Sequence, residues 1–84
     1  MTGSLDEVRA TLYAVLELLT SAQQHAGAAR TNIDDAVGVL SVLGEKHSEP
    51  LPPPELVRAV ERLQDGLGLI GSGAQLVADI GARI

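Results

Sequence analysis

With 84 residues the chain has room for one domain, and folding would remove from water only about 60 to 65% of its extended surface, so a core built by this chain alone is modest. Hydrophobic residues make up 45% of it, yet there is one Tyr, one Met, no Phe and no Trp, which leaves Leu, Val, Ile, Ala and Gly to pack it, a helix-packing set poor in strand-forming aromatics. Six basic residues against eleven acidic ones give a net charge of -5, with the basic ones scattered, which argues against nucleic acid as a partner, and no cysteine is present for disulfides, thiolate metal sites or thiol nucleophiles.

The chain starts Met1-Thr-Gly-Ser-Leu-Asp-Glu, without the basic region of a secretory signal, and no run approaches the roughly 18 to 20 apolar residues of a membrane span. A soluble cytoplasmic product that does not bind membranes is the expectation. From Leu5, apolar residues recur at Val8, Leu12, Val15, Leu19, Ala22, Ala26, Ala29, Ile33, Ala36, Leu40 and Leu43, with spacings that alternate between three and four. That heptad ladder predicts a long amphipathic first helix over about 4–44. Glu17, Gln24, Thr31 and Glu45 lie on the face opposite.

Gly44-Glu-Lys-His-Ser-Glu-Pro-Leu-Pro-Pro-Pro54 then interrupts the pattern, and the prolines forbid one continuous helix. Gly44 suits the left-handed residue that ends a helix, Pro54 suits the first position of the next, and 45–53 form the hinge. The PxxP frame that starts at Pro50 reads first as a stiffener of that hinge and only second as a ligand for an aromatic groove. A second ladder follows at Leu56, Val60, Leu63, Leu67, Ile70, Ala74, Val77, Gly81 and Ile84, and predicts a second helix over about 54–83.

The expected fold is therefore all-α: one domain, 1–84, folded as a long, coiled-coil-like antiparallel helical hairpin. Matching the ladders outward from the hinge pairs Leu43 with Leu56, Ala36 with Leu63, Ala29 with Ile70 and Ala22 with Val77. The first helix, roughly 60 Å long against roughly 45 Å, then overhangs by its first dozen or so residues. Thr31 or Asn32 could instead cap a new helix, which would give a three-helix bundle.

A hairpin seam leaves Leu16, Leu18, Val37, Val39, Val42, Val57, Leu69, Leu76 and Ile80 uncovered, and two hairpins joined in a homodimeric four-helix bundle would cover them. The residues expected to carry the interfaces are Leu5, Val8, Leu12, Val15, Leu16, Leu19, Ile33, Leu40, Leu63, Leu67, Ile70, Val77 and Ile80.

Gly66-Leu-Gly-Leu-Ile-Gly71 has the G-x-G-x-x-G spacing of a dinucleotide turn, but no strand pattern precedes it and the next acid, Asp79, comes too early for the ribose. The glycines read instead as small faces of the second helix, with Gly66 and Gly73 on one flank of the seam and Gly71 on the other. Each weakens the helix by about 1 kcal/mol relative to Ala, so this helix should depend on packing. His25 and His47 lack metal-site spacing, adjacent Asp34 and Asp35 diverge on a helix, and no serine sits in a Gly-x-Ser-x-Gly elbow. No catalytic residue, cofactor or metal is expected, and the function read from the residues is that of a non-catalytic interaction module.

In length, acidity, lack of cysteine and two helices about a central turn, the chain resembles the small helical-hairpin partners of type VII secretion systems. Five Arg against one Lys, with abundant Ala, Gly and Val, also looks like a GC-rich bacterial genome. The resemblance is one of architecture: the family's Trp-x-Gly turn is replaced by Gly44-Glu-Lys-His, and its Tyr-x-x-x-acidic tail has no counterpart, Tyr13 being the sole tyrosine. It implies a helical partner, such as a toxin or effector, and a route of leaderless export.

Overall fold

The computed structural model describes residues 2–47 and 51–84. Ser48, Glu49 and Pro50, and with them the start of the PxxP frame, lie outside the described residues. Two helices form the fold: α1 covers Thr2–Gly44 and α2 covers Pro54–Arg83. They pack side by side as an antiparallel hairpin, and no strand occurs among the described residues. α1 runs without a break through Thr31 and Asn32, so the three-helix alternative is corrected to two. The heptad phase across that region leaves no reset at which a new helix could begin.

Local chemistry supports each helix. Thr11, Thr20 and Ser41 donate their hydroxyls back to the carbonyls of Glu7, Leu16 and Val37, at 2.9, 3.0 and 2.9 Å, so these hydroxyls are satisfied within α1. α2 opens on Pro54 after an extended Pro53, with Glu55 in its first turn and Arg83 in its last, both favourable to the helix dipole.

The end of α1 differs from the expectation. No described glycine has a positive φ, so Gly44 is not a left-handed cap. The helix tightens instead, with Lys46 N donating to Leu43 O at 3.1 Å and His47 N to Gly44 O at 3.2 Å. Gly44 is required by proximity: a Cβ there would stand 2.9 Å from the Leu51 carbonyl oxygen and 3.3 Å from Leu51 Cβ. The segment after the turn is pressed against the last turn of α1.

That contact also moves the helix register. Ladder matching sets Arg30 opposite Leu69 and Gln23 opposite Leu76, but Arg30 bonds Gln64 and Gln23 lies against Gly71, a shift of five residues in both places. Leu51 stands against Gly44, so Leu51, Pro52 and Pro53 lie beside the last turns of α1 and α2 begins several residues further along α1 than ladder matching places it. As a result α2 reaches further down than expected. The Arg9 guanidinium donates to the Ile84 carbonyl, and the overhang of α1 shrinks from a dozen residues to those before Arg9.

Candidate interaction surface

On α2 the half-buried residues include every member of the predicted ladder, from Leu56 through Leu63, Leu67, Ile70 and Val77 to Ile84. On α1 only alternate members hold. The half-buried line runs Leu12, Leu16, Leu19, Gln23, Ala26, Arg30, Ile33, Val37, Leu40 and Gly44. Ala22, Ala29, Ala36 and Leu43, expected in the seam, are exposed, and the positions one residue later replace them. The reason lies in the hinge: with Gly44 against Leu51, the residues at seven-residue intervals before it, Val37, Arg30, Gln23 and Leu16, must share its side.

Two seam positions are therefore polar. Arg30 Nη1 donates to Gln64 Oε1 at 2.6 Å, while Arg30 Nε is buried without a partner. Gln23 fits because Gly71 opposite has no side chain, and a Cβ there would lie 3.3 Å from Gln23 Nε2. Toward the open end, Leu12 reaches to 3.8 Å from where a Cβ of Gly81 would be, and Arg9, Leu12, Tyr13, Leu16, Ala78, Gly81 and Ala82 line a small cleft.

Of the residues expected to carry interfaces, Leu12, Leu16, Leu19, Ile33, Leu40, Leu63, Leu67, Ile70 and Val77 are half-buried in the seam of this one chain. Val15 is half-buried at its edge, whereas Leu5, Val8 and Ile80 are exposed. Beside Tyr13, 68% exposed, four aliphatic side chains are more open than these: Leu69 is 74% exposed, Leu18 70%, Val39 68% and Leu76 64%. They fall outside the seam ladder and recur at intervals of seven, from Leu69 to Leu76 and, across His25 and Asn32, from Leu18 to Val39. That second periodicity is the signal by which a sequence could have assigned them.

The glycines of α2 divide by neighbour. Gly71 and Gly81 face α1, but a Cβ at Gly66, Gly68 or Gly73 would meet nothing within 4 Å. Gly66 and Gly73 thus do not thin a contact inside the hairpin, contrary to what their position beside the seam suggested.

The chain has little of its own to bury. Among the described residues none is fully buried, whether apolar or polar. Its accessible surface is 6244 Å² for 8.7 kDa, and a compact monomer of that mass exposes roughly 4,700 Å². The radius of gyration, 19.4 Å, compares with roughly 12 Å for a globule of the same length.

Charged side chains pair little among the described residues. Arg58 and Glu55 approach to 3.8 Å, and Gln75 Nε2 donates to Asp79 Oδ1 at 2.9 Å, both within α2 and exposed. His25 Nδ1 lies 2.9 Å from the Ser21 carbonyl oxygen. Among the described residues no three His, Cys, Asp or Glu side chains gather as they would to hold a metal ion. No described helix is long and apolar enough to cross a membrane.

No family model, curated protein or solved structure matches the chain.

Proposed function

We propose that the chain is a non-catalytic helical interaction module that self-associates through its apolar helix faces into a homodimeric four-helix bundle. The observation that carries this reading is the pairing of an empty interior with a leucine-bearing exterior: no described residue is fully buried, while Leu18, Leu69 and Leu76 stand open. The excess of surface over a compact monomer, roughly 1,500 Å² per chain, exceeds the about 800 Å² that each partner buries in a standard protein interface.

A companion role toward a different helical protein, such as a toxin or a secreted effector, is the second reading. Leu5 and Val8, exposed on the part of α1 that projects past the end of α2, favour it, because a like hairpin has no second helix at that level to cover them. The resemblance to type VII secretion partners points the same way, and with it to leaderless export.

Light scattering after size exclusion, on the chain alone, tests the first reading. A helical dimer is the expected result. A folded monomer at high micromolar concentration rules out self-association, and an aggregating chain rescued by the product of a neighbouring gene establishes the companion role instead.

A further inference from the structure

The rows that flank the seam are unequal. On one side lie Tyr13, Asp34, Gln64 and Gly71, the side on which Arg30 meets Gln64 and Gln23 meets Gly71. On the other, Ala22 and Ala29 precede the seam residues of α1, and Gly66 and Gly73 precede those of α2. Antiparallel helices set preceding row beside preceding row, so these small residues form a shared floor along one side of the hairpin. The rows four residues before and three after the floor positions form its rim: Leu18, His25, Asn32 and Val39 on α1, and Leu69 and Leu76 on α2, with Leu18, Val39, Leu69 and Leu76 all more than 60% exposed.

We propose that this side of the hairpin seats a second copy of the same chain, with the two hairpins pointing the same way and α1 of each lying against α2 of the other. The inference rests on the self-association reading and adds to it the face and the orientation.

Charge selects the occupant. The floor and rim carry no carboxylate from Val8 to Leu43 on α1 or from Ala59 to Ile80 on α2, whereas Glu17, Asp34, Asp35, Glu61, Asp65 and Asp79 occupy the remaining faces. In a chain of net charge -5, this is the side on which two copies meet without opposing their acids. Area agrees: a side of Cα extents 70 by 14 Å offers about 1,000 Å² in projection, against about 800 Å² per partner in a standard interface.

Shape is self-complementary as well. The large rim of one copy meets the small floor of the other, and the open space over Gly66 and Gly73, where a Cβ would touch nothing, is the space a rim leucine enters. Orientation follows from the rim row of α2, which runs Glu55, Arg62, Leu69, Leu76 and Arg83. Turning one copy end for end brings α2 against α2, centred between Leu69 and Leu76, and sets Arg62 of each copy against Arg83 of the other. Pointing both copies the same way avoids this and overlaps the full length of both hairpins.

The absence of cysteine makes every introduced thiol unique. Ala29→Cys and Gly73→Cys mark the floor, Thr31→Cys and Asp65→Cys the far side, and a bismaleimide of about 10 Å reach is the probe. Expected are covalent dimers from the first pair and not the second, or loss of the dimer in Gly73→Cys alone. Dimers linked through the far side, in a chain that light scattering shows to be dimeric, overturn the face while leaving self-association standing. A monomeric parent chain overturns both. For orientation, spin labels on Lys46→Cys, near the hinge, should lie within about 30 Å of each other, and a separation approaching the 70 Å length of the hairpin overturns the parallel arrangement.

Discussion

Arg30 on α1 donates from Nη1 to Oε1 of Gln64 on α2 at 2.6 Å, and it does so from a seam position that the apolar pattern assigns to its neighbour Ala29. With Gln23 against Gly71, the pair is one of two polar layers in a mainly aliphatic contact between the helices. Polar groups at such positions trade stability for register, because slipping by a turn strands the donor. Here the donor is only partly satisfied, since Nε is buried with no partner.

Arg30→Leu should therefore melt higher than the parent chain. Removing the unpartnered donor and adding apolar area at the seam is worth about 1 kcal/mol, or roughly 4 to 8 °C in a domain of this size. Thermal denaturation followed at 222 nm checks it. A lower melting temperature would mean that the bond to Gln64 outweighs the buried Nε.

Two glycine substitutions should move stability in opposite directions. At Gly44 a methyl group would press on the Leu51 carbonyl at 2.9 Å, a backbone atom with no room to yield. Gly44→Ala should cost about 1 to 3 kcal/mol. At Gly68, exposed with nothing within 4 Å, the same change gains helix propensity. Gly68→Ala should stabilise by about 0.5 to 1 kcal/mol. Urea titrations of both variants check the signs, and equal effects would contradict the close approach at the hinge.

How far these features were legible depends on how one-sided each helix is. α2 is the more one-sided helix, Leu69 and Leu76 apart, with Arg58, Asp65, Ser72 and Asp79 opposite its seam, and its ladder from Leu56 to Ile84 is half-buried at every position. α1 spreads its apolar residues further around, and the line through Val15, Ala22, Ala29 and Ala36 is more apolar than the true one through Leu16, Gln23, Arg30 and Val37. What decides between them is tertiary: Gly44 must face Leu51, Gly71 must admit Gln23, and Gln64 must receive Arg30. None of these partners can be known before the register is known. The register in turn depends on the hinge setting Leu51 against Gly44, a contact that the spacing of the ladders does not encode.

Leu67 and Leu69 separate the seam from the outer face. Leu67 is half-buried between the helices, and Leu67→Asp puts an unpaired carboxylate there, a cost of several kcal/mol that a hairpin with no full core should not survive. Helicity should fall. Leu69 is 74% exposed, so Leu69→Asp leaves the seam as it is but should abolish the dimer at micromolar concentration, with helicity lost alongside it and recovered only as the concentration is raised. Circular dichroism and light scattering on both variants read the two effects separately. If Leu69→Asp stays dimeric, the outer face is not where the chain associates.

Because so little of the chain is buried within itself, folding and association should be measurable as one event. The seam residues of both helices are half-buried at most, and α2 carries Gly66, Gly68, Gly71, Gly73 and Gly81 in its interior, each unfavourable to helix by about 1 kcal/mol. Those deficits accumulate on the helix that also bears Leu69 and Leu76, so the copy that covers these leucines would also hold α2 in helical form. Mass action then requires that dilution unfold the protein: each tenfold change in chain concentration shifts the dimer's stability by about 1.4 kcal/mol. Melting curves taken from about 1 to 100 μM should move to higher temperature as concentration rises, with full helicity at the upper end. A melting temperature independent of concentration over that range would mean that the hairpin stands alone, and that its exposed leucines await a partner other than itself.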